Sequence, residues 1–291
     1  MPFVEREGAS IYWEGSGPED APLVLLIMGL GLSSRAWDEL PARLHPASVG
    51  SAELGAPAGS PSFRVVVFDN RGVGRSIAPA GSFSVATLAD DAAAVIRAAG
   101  GSEAAPIHVF GISLGGMIAQ ELVLRHPALV SRLVLGATHP SLLRGRWPSV
   151  GLAILFLLLI LLGPGREGFR LARICVSPGF PSRAAEDWGR WIHALEHAGP
   201  RTALRQLWAA LRHGTAERLR SVRAPTLVLS GDLDRVVPCE NSRRLAELIP
   251  GSRLVLLPGA GHIFPLEQPN ETTALLVEHF GGPAAGASGG G

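Results

Sequence analysis

With 291 residues the chain can hold one large domain or two ordinary ones and can bury a substantial core. Apolar residues make up 47% and charged residues 18%, a balance that argues against extensive disorder. The net charge of +1 gives no global basic field, so nucleic acid is not an expected partner.

All 26 basic residues are Arg, which reads as coding bias because nothing in a fold forbids Lys everywhere. Cys175 and Cys239 lie far apart in no metal-like spacing, so two free thiols in a cytosolic protein are expected over a single disulfide. The N-terminal stretch "MPFVEREGAS" has no apolar signal-like core, and a cytoplasmic location is expected.

Along the chain, Val24–Ile27, Val65–Phe68, Ile107–Phe110 and Leu133–Leu135 read as strands, each continuously apolar. Such runs suit a parallel sheet covered on both faces. A Gly/Ala/Ser/Pro-rich loop around 46–62 separates the first two. "SVATLADDAAAVIRAAGG" carries helix start signals at Ser84, Thr87 and Asp90 and a glycine stop, and "LGGMIAQELVLRHP" is a helix closed by Pro127. Past residue 223 the alternation resumes: strand Thr226–Leu229, helix Glu240–Leu248, strand Leu254–Leu257, helix Glu271–Phe280. The pattern predicts an α/β fold with a doubly wound, mostly parallel sheet, its core formed by 1–139 and 223–280. The interruption, 140–222, is expected to be helical. It holds four of the six Trp residues and 12 Arg against 5 acidic residues, a charge of +7 where the rest of the chain is −6. Residues 281–291, "GPAAGASGGG" with its preceding Gly, are expected to be a disordered tail.

Chemistry begins where the third core strand ends. Gly111-Ile112-Ser113-Leu114-Gly115 is G-x-S-x-G at a strand-to-helix turn, a nucleophile elbow. Only small residues fit around so tight a turn, and the helix N-terminus behind it favours developing negative charge. A serine hydroxyl needs a base. In the chain order Ser…Asp…His an acid should follow a later strand, and "SGDLDRVVP" (230–238) stands there, offering Asp232 and Asp234. A histidine should follow the last strand, and "PGAGH" ends in His262. All three placements fall at carboxyl ends of strands, where open α/β sheets bind ligands.

These stretches, with "LLIMGLG" and "VVVFDNRGVGRS", resemble the α/β-hydrolase superfamily, in particular its esterase/lipase-like serine hydrolases with a helical cap, over nearly all of residues 1–280. The resemblance implies an α/β-hydrolase fold with 140–222 as the inserted cap. The family pattern G-x-x-D-x-x-x-P falls on Gly231, Asp234 and Pro238, which favours Asp234 over Asp232 as the acid. It further implies a triad of Ser113, Asp234 and His262, an acyl-enzyme mechanism without cofactor or metal, and an oxyanion hole built from the backbone N–H groups of Leu30 and Leu114. Many relatives carry His-Gly in the loop after the first core strand, where this chain has Met28-Gly29, making the pocket more apolar. Met28, His139 and Phe156 are the candidate substrate-binding residues, with a structural or surface role the weightier alternative for His139.

Other patterns weigh less. His193–His197 matches H-x-x-E-H, but a polar face of a cap helix explains it. "RGVGRS" lacks the Gly-Lys-Ser/Thr ending of a phosphate loop and reads as loop geometry. His108 reads as a core residue and Cys239 as a buried spectator.

The run "VGLAILFLLLILL" (150–162) raises the question of a membrane span. A span needs roughly 20 apolar residues, and this run has thirteen. It also lies between Ser113 and the pair Asp234/His262, so one crossing would separate nucleophile and base. It is expected to be a cap helix, either packed over the sheet or facing apolar substrate, with peripheral contact to anionic membranes in view. The expected activity is cleavage of small-molecule carboxylic esters with hydrophobic acyl or alcohol groups. An enol-lactonase or C–C bond hydrolase would use the same triad, and a catalytically silent binding module is the reading from another class.

Overall fold

The structure, a computed structural model, describes residues 2–45, 61–141, 145–146, 148–162, 172–196 and 198–282. Of the expected loop around 46–62, residues 46–60 lie outside them, and of the expected tail 281–291, residues 283–291 do, while Gly281 still belongs to the last helix.

Eight strands form one sheet: β1 (Phe3–Arg6), β2 (Ala9–Ser16), β3 (Leu23–Ile27), β4 (Arg64–Phe68), β5 (Ile107–Ile112), β6 (Val130–Gly136), β7 (Thr226–Gly231) and β8 (Arg253–Leu257). Their spatial order is β1-β2-β4-β3-β5-β6-β7-β8. From β4 to β8 every pairing is parallel, while β1 and β2 are antiparallel additions at one edge. Those two strands escaped the sequence pattern. Each shows only part of itself to the core, and Glu5, Arg6 and Glu14 break their apolar runs.

The inner strands are mainly apolar because helices cover both faces. One face packs on α1 (Val85–Ala98), α2 (Leu114–Arg125) and α6 (Glu240–Leu248) through Leu88, Ile118, Leu122 and Leu245. The other packs Phe110, Val134 and Phe264 with α7 (Pro269–Gly281). The start of α1 follows its sequence signals: Ser84 Oγ accepts from Thr87 N at 3.1 Å, and Thr87 Oγ1 accepts from Ser84 N at 3.3 Å. On the buried side of α1, Asp91 takes two 2.6 Å hydrogen bonds from Arg71 in the loop after β4. Removing one partner of such a buried pair typically costs about 3–5 kcal/mol, so it ties that loop to the helix.

Between β6 and β7 the described residues form helices and turns but no strand. The main helices are α3 (Val150–Leu162), α4 (Ala185–Ala194) and α5 (Pro200–Leu211), with α3 packed on α5. The chain enters this segment from the carboxyl end of β6, so it builds over the edge of the sheet that carries Ser113, Asp234 and His262. Among the described residues no helix is long and apolar enough to cross a membrane.

Candidate active site

Ser113 sits between β5 and α2 with φ 56° and ψ −120°. Holding a non-glycine residue there costs on the order of 1–3 kcal/mol, and the surroundings must enforce it. They do so by crowding. A Cβ on Gly111 would lie 2.2 Å from Gly115 O, and one on Gly115 would lie 1.9 Å from Ile27 O. Ser113 N donates to Gly136 O at 2.9 Å, and Thr138 Oγ1 donates to Ser113 O at 2.7 Å. The hydroxyl is left without a hydrogen bond to any described residue and faces a cavity of about 250 Å³.

Asp234 and His262 meet. His262 Nδ1 and Asp234 Oδ2 are 2.8 Å apart, with the two residues 3% and 7% exposed. Asp234 Oδ1 accepts from the N–H groups of Val236 and Val237, both at 2.8 Å, so the carboxylate is fixed before it orients the ring. The two loops that carry them are joined by Leu233 N donating to Ala260 O at 2.9 Å, and Ile263 N ties the His262 loop to Cys175 O at 2.9 Å. Asp232 instead accepts from Gly259 N at 2.7 Å in the exposed part of the same turn. The acid that faces the imidazole is thus Asp234. Ser113 Oγ is not hydrogen-bonded to His262, as is common before substrate draws such groups together. Cys175, buried nearby, is no competing nucleophile: burial and the Asp234 charge push its thiol up to about 12.

The loop after β3 lies directly against Ser113, since a Cβ on Gly29 would stand 3.2 Å from Ser113 Cβ. The segment between β6 and β7 holds this loop. Gly31, at φ +75°, donates from N to Gln206 Oε1 at 2.7 Å and accepts at O from Ala198 N at 2.7 Å. Ser33 N donates to Glu196 O at 3.1 Å, and Trp191 Nε1 donates to Ala36 O at 3.0 Å. From the core side, Asn70 Nδ2 donates to Met28 O at 3.1 Å and Ser34 N to Asp69 Oδ1 at 2.8 Å. Leu30, between these anchors, lines the Ser113 cavity together with Leu114. Neither residue's N–H has a partner among the described residues. Leu114 N–H is free because it opens a helix.

The rest of that cavity is mostly apolar. Leu152, Ala153 and Leu157 of α3 form one wall, and Leu207, Ala210 and Leu211 of α5 another. Phe156 lies on α3, but its side chain is outside the described residues. Met28 departs from expectation. It is buried at 4% exposure and lines a neighbouring cavity of about 140 Å³ with Trp37, Ile112 and Trp191, away from the Ser113 cavity. The cause is local: strand alternation carries on through Met28 and turns its side chain into the core cluster of Val24 and Leu26.

His139 lines the Ser113 cavity, packed beside His213 with ring centroids 6.5 Å apart. Desolvation by burial, first, and then the neighbouring imidazole push its pKa down to about 3; His213 falls to about 3 through burial and then Arg218. Both rings are neutral at pH 7. Because the unfolded chain protonates near 6.5 and the folded rings do not, their contribution is full above pH 6.5 and is lost as pH falls toward 3. Tm should therefore drop between pH 7 and 4.5, and a His139→Gln/His213→Gln variant should show a shallower drop. An equal slope in both proteins would contradict this assignment.

Sequence reading missed several residues that shape the site: Gln206, Arg146, Asn241 and Arg235. Only Gln206 left a usable signal. It is a lone amide on the buried Ala203/Ala209/Ala210 face of α5. The H-x-x-E-H pattern loses its geometry, because α4 ends at Ala194 and Leu195 is extended. In "RGVGRS", Gly72 and Gly74 take φ +78° and +52°, as loop geometry requires.

A sequence profile described as "Alpha/beta hydrolase family" matches residues 24–275. Over 265 residues, 88% of this chain and 93% of the relative, there is 32% identity to a Mycobacterium tuberculosis protein carrying the name non-heme bromoperoxidase BpoC. A Pseudomonas savastanoi pv. phaseolicola protein carrying the name carbamate hydrolase RutD is 30% identical over 273 residues, 89% of this chain and 93% of its own. The crystal structure of an enol-lactonase from Burkholderia xenovorans LB400 superposes with TM-score 0.80 at 22% identity, covering 97% of this chain and 100% of that one. That last likeness concerns the fold.

Proposed function

The chain belongs to the alpha/beta hydrolase family, and from that premise we propose that this hydrolase cleaves carboxylic esters of hydrophobic acyl or alcohol groups through an acyl-enzyme on Ser113. The observation that carries the reading is the His262–Asp234 hydrogen bond at 2.8 Å on the same sheet edge as the Ser113 elbow. In this reading His262 Nε2 takes the Ser113 proton as Oγ attacks the carbonyl, then returns it to the leaving alkoxide. Asp234, accepting from Nδ1–H, keeps the ring in the tautomer that leaves Nε2 free and stabilises the imidazolium. The N–H groups of Leu30 and Leu114 receive the oxyanion, and water repeats the sequence on the acyl-enzyme. Every proton is accounted for by these groups, so the chemistry calls for no cofactor.

The proposal treats 140–222 as a cap over a core of 1–139 and 223–280, and sets the enzyme in the cytosol, in keeping with unpaired Cys175 and Cys239. Its apolar wall favours greasy substrates. Burying one CH₂ is worth about 0.8 kcal/mol, so two buried methylenes of an octanoyl chain would raise kcat/KM about 15-fold over acetyl. 4-Nitrophenyl esters of increasing chain length check this. Preference for acetyl would remove the hydrophobic specificity, and no turnover of any ester would remove the ester reading.

The outer face of α3 supports a further part of the proposal, peripheral contact with anionic membranes. Val150, Ile154 and Leu158 are exposed there, beside exposed Leu204 and Trp208 of α5. Co-sedimentation with phosphatidylglycerol vesicles that is unchanged by Val150→Ser/Ile154→Ser would count against it. A lactone or C–C bond substrate would employ the same three residues, and Arg146 and Arg235 at the cavity give that second reading its footing. A silent binding module has no need of the Asp234–His262 pair.

A further inference from the structure

We propose that the substrate carries an anionic group, carboxylate or phosphate, that docks on Arg146 and Arg235 at the rim of the Ser113 cavity. The inference rests on the serine hydrolase reading and adds the substrate's charge class to it.

Among the described residues the cavity wall contains two arginines and no Asp or Glu. Neither guanidinium has an ionic or hydrogen-bonded partner among the described residues. Elsewhere the fold answers many of its arginines with carboxylates, as in Arg71–Asp91, Arg190–Asp38 and Arg253–Glu278. The remaining polar groups of the wall cannot neutralise the pair. His139 is neutral, its pKa pushed down to about 3 by burial.

Asn241, 2% exposed, spends its amide on the backbone of Arg146. Its Oδ1 accepts from Arg146 N at 2.8 Å, and its Nδ2 donates to Arg146 O at 2.8 Å and to Pro238 O at 3.1 Å. Gly145 makes this clasp feasible, since a Cβ there would stand 2.5 Å from Asn241 Oδ1. The second arginine is fixed from the other side. Arg235 follows Asp234, whose Oδ1 holds the N–H groups of Val236 and Val237. Two backbones are therefore pinned at the cavity while two side chains are left free.

A positive rim over a mostly apolar cavity concentrates anions, and the guanidinium fork matches carboxylate and phosphate oxygens. With Leu152, Leu157 and Leu207 lining the interior, the complementary molecule has an apolar body and an anionic end. Both arginines are exposed, so the gain is moderate and salt-sensitive.

The test compares three 4-nitrophenyl octanoates that differ at the far end: carboxylate, phosphate and neutral amide. At about 20 mM salt, an anionic ester should exceed the amide by about 10-fold in kcat/KM, mainly through KM, and the ratio should fall toward about 2 in 0.5 M NaCl. Which anion leads distinguishes carboxylate from phosphate. In Arg146→Gln/Arg235→Gln the ratio should collapse to about 1, with Arg146→Lys retaining part of it. Equal rates for anions and amide in the parent protein, a ratio indifferent to salt, or a ratio surviving in the double variant would overturn the proposal. Binding of the same three esters to Ser113→Ala protein reads the preference without turnover. A failed hydrolase reading, in which Ser113 is not needed for hydrolysis, is thereby separated from a failed anion site.

Discussion

Ser113→Ala and His262→Ala should each lower kcat by about 10⁵-fold or more, and the double variant should fall no further than either. The expectation follows from how the groups depend on one another. A serine hydroxyl attacks only as its proton leaves, and His262 is the group held by a fixed carboxylate at the same sheet edge. Without the base the hydroxyl is inert, and without the hydroxyl the base has no proton to move. Asp234→Asn should cost about 10⁴-fold, because an amide at 2.8 Å from Nδ1 can donate and so select the wrong tautomer. The Val236 and Val237 N–H groups would still hold its Oδ1, so the loss would be chemical in origin. Steady-state kinetics on a good aryl ester measures all of this. Losses that multiply in the Ser113/His262 double variant would show that the two act independently and would contradict the mechanism.

Gln206→Leu should lower kcat by about 10- to 100-fold while moving KM by less than about threefold. Gln206 touches no reacting atom in the proposed mechanism. It is a positioning residue whose Oε1 receives Gly31 N–H at 2.7 Å, one residue beyond Leu30, the proposed oxyanion donor. Losing an oxyanion donor outright typically costs about 10²–10³ in rate, and a displaced donor should cost less. Such a change acts on the transition state, which is why kcat should carry it and KM should not. Leu is as good a helix former as Gln, so α5 should persist. Gln206→Glu, which keeps an acceptor for Gly31, should recover part of kcat. A variant with lowered Tm but unchanged kcat would reduce Gln206 to a structural role. The same bonds give the segment proposed as a cap a second role, because Gln206 of α5, Glu196 and Ala198 hold the loop that bears the proposed oxyanion donor.

How much of this could be read from the residues alone depended on whether the determinant was local. β3 to β7 were legible because burial on both faces leaves an apolar run, as in Leu23–Ile27, and β8, a half-buried edge strand, still carries the run Leu254–Leu257. β1 and β2, wetted along part of their length, carry no such run. Ser113, Asp234 and His262 could be proposed from sequence because each sits in a short motif at a tight turn. The bond between Asp234 and His262 spans 28 positions and was expected from the family pattern that these stretches resemble. Where a contact depends on tertiary approach, the sequence was silent. Nothing near Asn241 announces a clasp on Arg146, 95 positions away. The α3 run is apolar all round and so concealed which side meets the cavity: Leu152 and Ala153 face it, while Val150 and Ile154 face out. Met28 misled for a simple reason. Its neighbour Gly29 lies against Ser113, but strand alternation sends the methionine itself elsewhere.

The central claim is that Ser113 is the nucleophile, and covalent capture tests it most directly. The protein would be treated with a fluorophosphonate and digested, and the modified peptide sequenced by mass spectrometry. The account predicts one adduct per chain, on Ser113, with loss of ester hydrolysis in proportion to labelling and no adduct in Ser113→Ala. An adduct on another residue, or full ester hydrolysis by Ser113→Ala, would contradict it.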